Sequence, residues 1–166
     1  MVNAVPDDLT ALTARELLTR MEQSLAELRR RRIVRSRNAP LGDVAERIVW
    51  LARGGVLEVN STKSHDVTAS EGARIQVKAR VMEGRGGKFS QFRSFDFDTA
   101  IFLSFELGSL DLAYARELTA AEVTGHGSRS DWTNATTLTG ARVRRLGVDV
   151  TDEMQSAYDR LDEAAS

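Results

Sequence analysis

The sequence predicts a domain of the α/β (α+β) class, with a mixed central sheet flanked by helices. Three observations lead there. From Ile75 the chain alternates, with Ile75, Val77 and Ala79 on one face and Gln76, Lys78 and Arg80 on the other, the period of a half-buried strand. Residues 99–106 are almost continuously apolar, which suits a central strand covered on both sides. Apolar stripes at helical spacing lie towards both ends of the chain.

Composition bounds the function. The 166 residues are 42% hydrophobic and 28% charged, enough to build one core, and the net charge is −1, so any contact with nucleic acid must use a local patch. There is no cysteine, which excludes disulfides and thiolate chemistry, and two histidines leave no multi-histidine metal site. No apolar run is long enough to span a bilayer and the N-terminus does not read as a signal peptide. The expected location is the cytoplasm.

In order, Asp7 or Asp8 caps a first helix running towards Arg32, with Leu18, Met21, Leu25 and Leu28 as its apolar stripe. Arg29, Arg30, Arg31, Arg32, Arg35 and Arg37 follow. They read equally as a phosphate-contacting arm or as a solvated helix end whose cations suit the dipole. Residues 1–38 form this arm and 39–166 the main domain. Asn38 and Pro40 break the chain, and a second helix follows over 41–53, closed by Gly54 and Gly55, with Val44, Ile48 and Leu51 as its core line and Glu46 on the flank. Residues 56–60 read as a short strand or as an extended lead-in to the hairpin. A hairpin comes next, residues 65–69 and 73–81, turning through Ser70, Glu71 and Gly72. The G-R-G-G-K loop at 84–88 has the wrong spacing for a P-loop, though Arg85 and Lys88 can meet a backbone phosphate. Phe89, Phe92, Phe95 and Phe97 read mainly as core anchors. After the buried strand at 99–106, a turn near Gly108 leads to a strand over 110–119, and Thr119 caps a short helix. Residues 125–137 read as a polar loop holding His126, 141–148 as a strand or extended segment, and Thr151 as the cap of the last helix.

A turn centred on Glu71 puts Asp66 opposite Gln76, with Lys78 two residues further on the same face. A carboxylate, an amide and an ammonium then share one patch of sheet. A slip of one residue would scatter them.

The order helical Glu46, hairpin Asp66, then Gln76-x-Lys78 and a buried strand resembles the PD-(D/E)xK nuclease superfamily, the restriction-endonuclease-like fold. The likeness covers residues 42 to about 106, and the phrase G-A-R-I-Q-V-K-A-R is similar to small bacterial proteins of unassigned function. The resemblance implies a Mg²⁺- or Mn²⁺-dependent DNA endonuclease acting as a homodimer. Asp66, Gln76 and Glu46 would be its metal ligands and Lys78 the residue that orients water. Two departures stand: His65 precedes the Asp where the family has Pro, and Gln76 replaces the usual acid, removing one formal charge from the cation's surroundings. The same resemblance allows a non-catalytic module that binds DNA or a protein partner.

Overall fold

A computed structural model describes residues 8–35, 40–59, 64–82 and 87–163. Five α-helices and eight strands occur among them. Six strands form one mixed sheet in the order β1-β2-β3-β4-β5-β8: β1 (Val56–Leu57), β2 (Val67–Thr68), β3 (Arg74–Val81), β4 (Thr99–Phe105), β5 (Leu112–Thr119) and β8 (Val148–Asp149). Only β3 and β4 run parallel; the other neighbours are antiparallel. The α/β class expected from the sequence is therefore the observed one.

The hairpin has the expected register. Val67 pairs with Ile75 and Thr68 with Arg74. The turn closes through Ala69 N–H to Ala73 O and Gly72 N–H to Ala69 O, with Gly72 at φ +91°, a conformation that costs glycine nothing. β4 is buried from Ala100 to Phe105, because both faces of the sheet are covered. On one face Ile75, Val77, Ile101 and Leu103 pack with Ala45, Ile48 and Val49 of α2 (Pro40–Arg53) and with Met154 and Ala157 of α5 (Thr151–Asp159). On the other, Ala100, Phe102 and Leu118 meet Val123 of α3 (Ala120–His126), Val143 of α4 (Gly140–Val143) and three phenylalanines of the segment that joins β3 to β4. Phe89, Phe92 and Phe97 are buried there as core anchors.

The first helix, α1 (Ala14–Arg30), differs from its expectation. Its cap is Thr13, in a reciprocal capping box with Glu16. Asp8 caps a single 3₁₀ turn before it, and Asp7 lies outside the described residues. No residue of α1 is buried, and Leu18 and Met21 of its stripe are 61% and 55% exposed. The chain then turns sharply: Ile33 N–H bonds Leu28 O at 2.9 Å and Arg32 takes φ +59°. This is a Schellman closure with arginine where glycine is usual. Ile33 and Val34 are buried immediately afterwards, so the basic segment is anchored to the body.

Four smaller corrections concern packing and caps. The deepest line of α2 is Ala45, Ile48 and Val49, with Val44 and Leu51 half-buried beside it. Residues 125–137 hold a two-stranded ribbon, β6 (Ser128–Ser130) and β7 (Ala135–Thr137), turned through Asn134 at φ +47°. Residues 141–148 are mostly not a strand: Thr139 caps α4, and only the two residues of β8 pair, with Arg116 and Glu117. Thr151 is the first residue of α5, not its cap; its hydroxyl donates to Asp149 Oδ1.

Candidate active site

The pairing of β1, β2 and β3 sets out a polar row. Val67 lies between Leu57 and Ile75 in the ladder, and Asp66 continues it, its N–H bonding Ile75 O at 2.8 Å while Glu58 N–H bonds Asp66 O at 2.9 Å. Glu58, Asp66 and Gln76 thus stand side by side across three strand positions, and Lys78 follows Gln76 on the same face. Ile75 and Val77, which alternate with them, fill the core beneath α2. The pattern that buries one set of side chains therefore aims the other.

Asp66 is held at one oxygen. Its Oδ2 accepts from Gln76 Nε2 at 2.8 Å and from the Val77 N–H at 2.7 Å. Burial pushes its carboxyl above the usual aspartate range, opposed by the Val77 N–H, Lys78, Arg35 and His65. Lys78 Nζ donates to the Gln91 carbonyl at 3.1 Å and lies 4.7 Å from the centre of the Phe92 ring. Burial lowers its pKa and the charge of Asp66 raises it.

Glu46 enters from α2. Its carboxylate accepts from Arg35 Nη2, while Arg35 Nη1 donates to the Glu58 carbonyl at 2.6 Å and the Arg35 N–H to buried Asp43 at 2.7 Å. Burial first, and then repulsion from Asp66, push the Glu46 carboxyl up to about 7 against the pull of Arg35. Asp66 therefore lies within electrostatic range of both Glu46 and Lys78. Glu58 accepts from the Thr68 hydroxyl at 2.7 Å and lies 3.5 Å from His65 Nε2. His65 Nδ1 and Arg35 Nε are buried without hydrogen-bond partners.

Of the four residues singled out by sequence, Asp66 and Gln76 are in contact, and the charge of Asp66 reaches Lys78 and Glu46. The arginines divide. Arg35 joins the group. Arg30 and Arg31 pair with Glu27, and Arg31 also reaches Asp162 at 3.5 Å. Arg29 and Arg32 are exposed beside an open pocket. Arg37 and Arg85 lie outside the described residues. Lys88 is exposed, and its backbone pairs with Thr139. Sequence reasoning passed over Glu58, Gln91 and Phe92 as site neighbours. For Glu58 a signal existed, since continuing the hairpin ladder by one more strand puts it opposite Asp66.

Among the described residues no cluster of three or more histidine, cysteine, aspartate or glutamate side chains could hold a metal ion. A Mg²⁺ ion, which accepts sparse protein ligation, would have Asp66 and Glu46 as its carboxylates and the Gln76 amide oxygen and Val77 carbonyl as further oxygens, with water and substrate completing its shell. Gln76 presents its amide nitrogen to Asp66, so its oxygen meets a cation only after the amide turns over.

No protein-family model matches the chain, and no curated protein matches it either. Among the described residues no helix is long and apolar enough to cross a membrane.

Proposed function

We propose that the chain is a divalent-cation-dependent DNA nuclease of the PD-(D/E)xK type. The observation that carries this reading is the meeting of Asp66, Gln76 and Lys78 on one face, with Glu46 close enough for the charge of Asp66 to raise its carboxyl. Few structural needs place a lysine and two carboxylates together at the half-buried edge of a sheet, and such perturbed groups gather at sites of chemistry.

In hydrolysis a water oxygen bonds to phosphorus, one P–O bond to the sugar breaks, and the leaving oxygen takes a proton. The cation supplies polarisation of the phosphate and a more acidic water. Asp66 and Glu46 furnish the negative charge that retains it. Lys78, held by the Gln91 carbonyl and the Phe92 face, orients the water and offsets charge in the transition state. Plasmid DNA incubated with Mg²⁺ or Mn²⁺ should be cut by the wild type, and Asp66→Ala and Lys78→Ala should each lose at least about a hundredfold in rate. Cutting at the wild-type rate by both variants would sink the assignment.

A second reading, a DNA-binding module that does not cut, is favoured by one specific observation. The polar network closes on itself, with the Gln76 amide on Asp66 and Arg35 on Glu46. Salt-sensitive binding without turnover in the same assay would select it.

A further inference from the structure

Between the end of α1 and α2 lies an open pocket of about 680 Å³, lined by Arg29, Arg30, Arg32, Arg35 and Arg47. A helix end accounts for cations at its own last carbonyls, and so for Arg29 and Arg30. It does not account for Arg47, which comes from the middle of α2, or for Arg35, which lies beyond the turn. Arg30 is held by Glu27 through both Nε and Nη2. Arg29 and Arg32 have no acidic partner among the described residues. Arg32 also occupies a left-handed backbone conformation that glycine would take at lower cost. Arg35 reaches from this pocket to Glu46, and its buried Nε is a donor without an acceptor.

From this we infer that the pocket is a phosphate-binding site, formed by Arg29, Arg32 and Arg47 and joined through Arg35 to the carboxylate site. It deepens the nucleic-acid reading: the pocket grips a phosphate of the bound strand on the Glu46 side, fixing its register while the chemistry takes place at Asp66. The phosphate is either an internal diester or a terminal monoester. Both present the oxygens that guanidinium forks match.

Fluorescence anisotropy of labelled single-stranded DNA in EDTA reads the pocket without cleavage. Arg29→Gln and Arg47→Gln should each weaken binding about tenfold, the range of one charged hydrogen-bonded contact. Each should also flatten the slope of log affinity against log salt by about one. Arg32→Gly should weaken binding similarly without lowering the thermal midpoint, because glycine suits φ +59°; a loss of that kind cannot come from unfolding. Arg15→Gln, the same charge change in the first turn of α1, should leave affinity unchanged. Competition by strands with 5′-hydroxyl and 5′-phosphate ends tells the two phosphates apart: equal competition marks a diester, preference for the phosphorylated end a monoester.

Wild-type affinity in all three pocket variants would overturn the proposal, as would an equal loss in Arg15→Gln. If the pocket variants bind normally while Asp66→Ala abolishes cleavage, the pocket falls and the nuclease reading stands. Pocket-dependent binding by a chain that cuts nothing would uphold the pocket alone.

Discussion

Gln76 decides much of the chemistry, because its amide faces a buried carboxylate. With nitrogen towards Asp66 it donates a hydrogen bond where a glutamate would bring a second negative charge. Gln76→Glu should therefore destabilise the cation-free protein by roughly 1–3 kcal/mol, from a lost partner and added repulsion, and so lower its thermal midpoint. It should also tighten Mn²⁺ binding. A thermal melt with and without Mn²⁺ reads both effects, and an unchanged Mn²⁺-induced shift would remove Gln76 from the ligand set. Glu46 makes a second prediction. Its folded carboxyl, at about 7, holds a proton more tightly than the ordinary value of 4.5. Its contribution to stability is therefore complete below 4.5 and lost as pH rises through 7. Asp66, also raised, acts with the same sign. Glu46→Gln should flatten the fall in the cation-free midpoint between pH 5 and pH 7, in part because Asp66 remains; an identical pH profile would count against burial of this carboxyl. At this scale the sequence was legible where local geometry alone fixed the contact. The pairing of Asp66 with Gln76 follows from a turn centred on Glu71. The Gln91 carbonyl and Phe92 beneath Lys78 come from a segment with no periodicity, so no spacing announced them.

Among the elements, the hairpin turn carries the register. An added Cβ at Gly72 would meet no atom within 4 Å, so its cost is purely conformational. Gly72→Ala should lower stability by about 1 kcal/mol, seen as a lower urea midpoint with unchanged slope. A larger loss would mean that the pairing itself has shifted. The helices show why some boundaries were readable and others were not. The ends of α2 follow from Pro40 and Gly54, which act on the backbone directly. The start of α1 offered two competing signals: Asp8 caps a single 3₁₀ turn and Thr13 with Glu16 caps the helix. Only the full Thr-x-x-Glu box distinguishes them. The four residues of α4 are too few for a periodic pattern, so the segment around them read as extended.

For the molecule as a whole, a buried apolar strand and amphipathic flanks were enough to indicate the layered α/β class. The parallel pairing of β3 with β4 was not legible, because the described residues of the segment between them hold no helix and cover the sheet with phenylalanines instead. The site's own contacts have a further property. Arg35–Glu46, Thr68–Glu58, Gln76–Asp66 and Lys78–Gln91 join residues 11, 10, 10 and 13 positions apart. By contrast, the Ala115 N–H bond to the Thr151 hydroxyl, which seats α5 on β5, spans 36. Short loops close at less entropic cost and sooner than long ones. During refolding, pulsed hydrogen exchange should find the Asp66 and Val77 amides protected before those of Ala115 and Val150; the reverse order would show that the hairpin depends on α5. The polar cluster would then belong to the early, contact-local half of the folding reaction. The last helix would add endurance to an arrangement that has already formed.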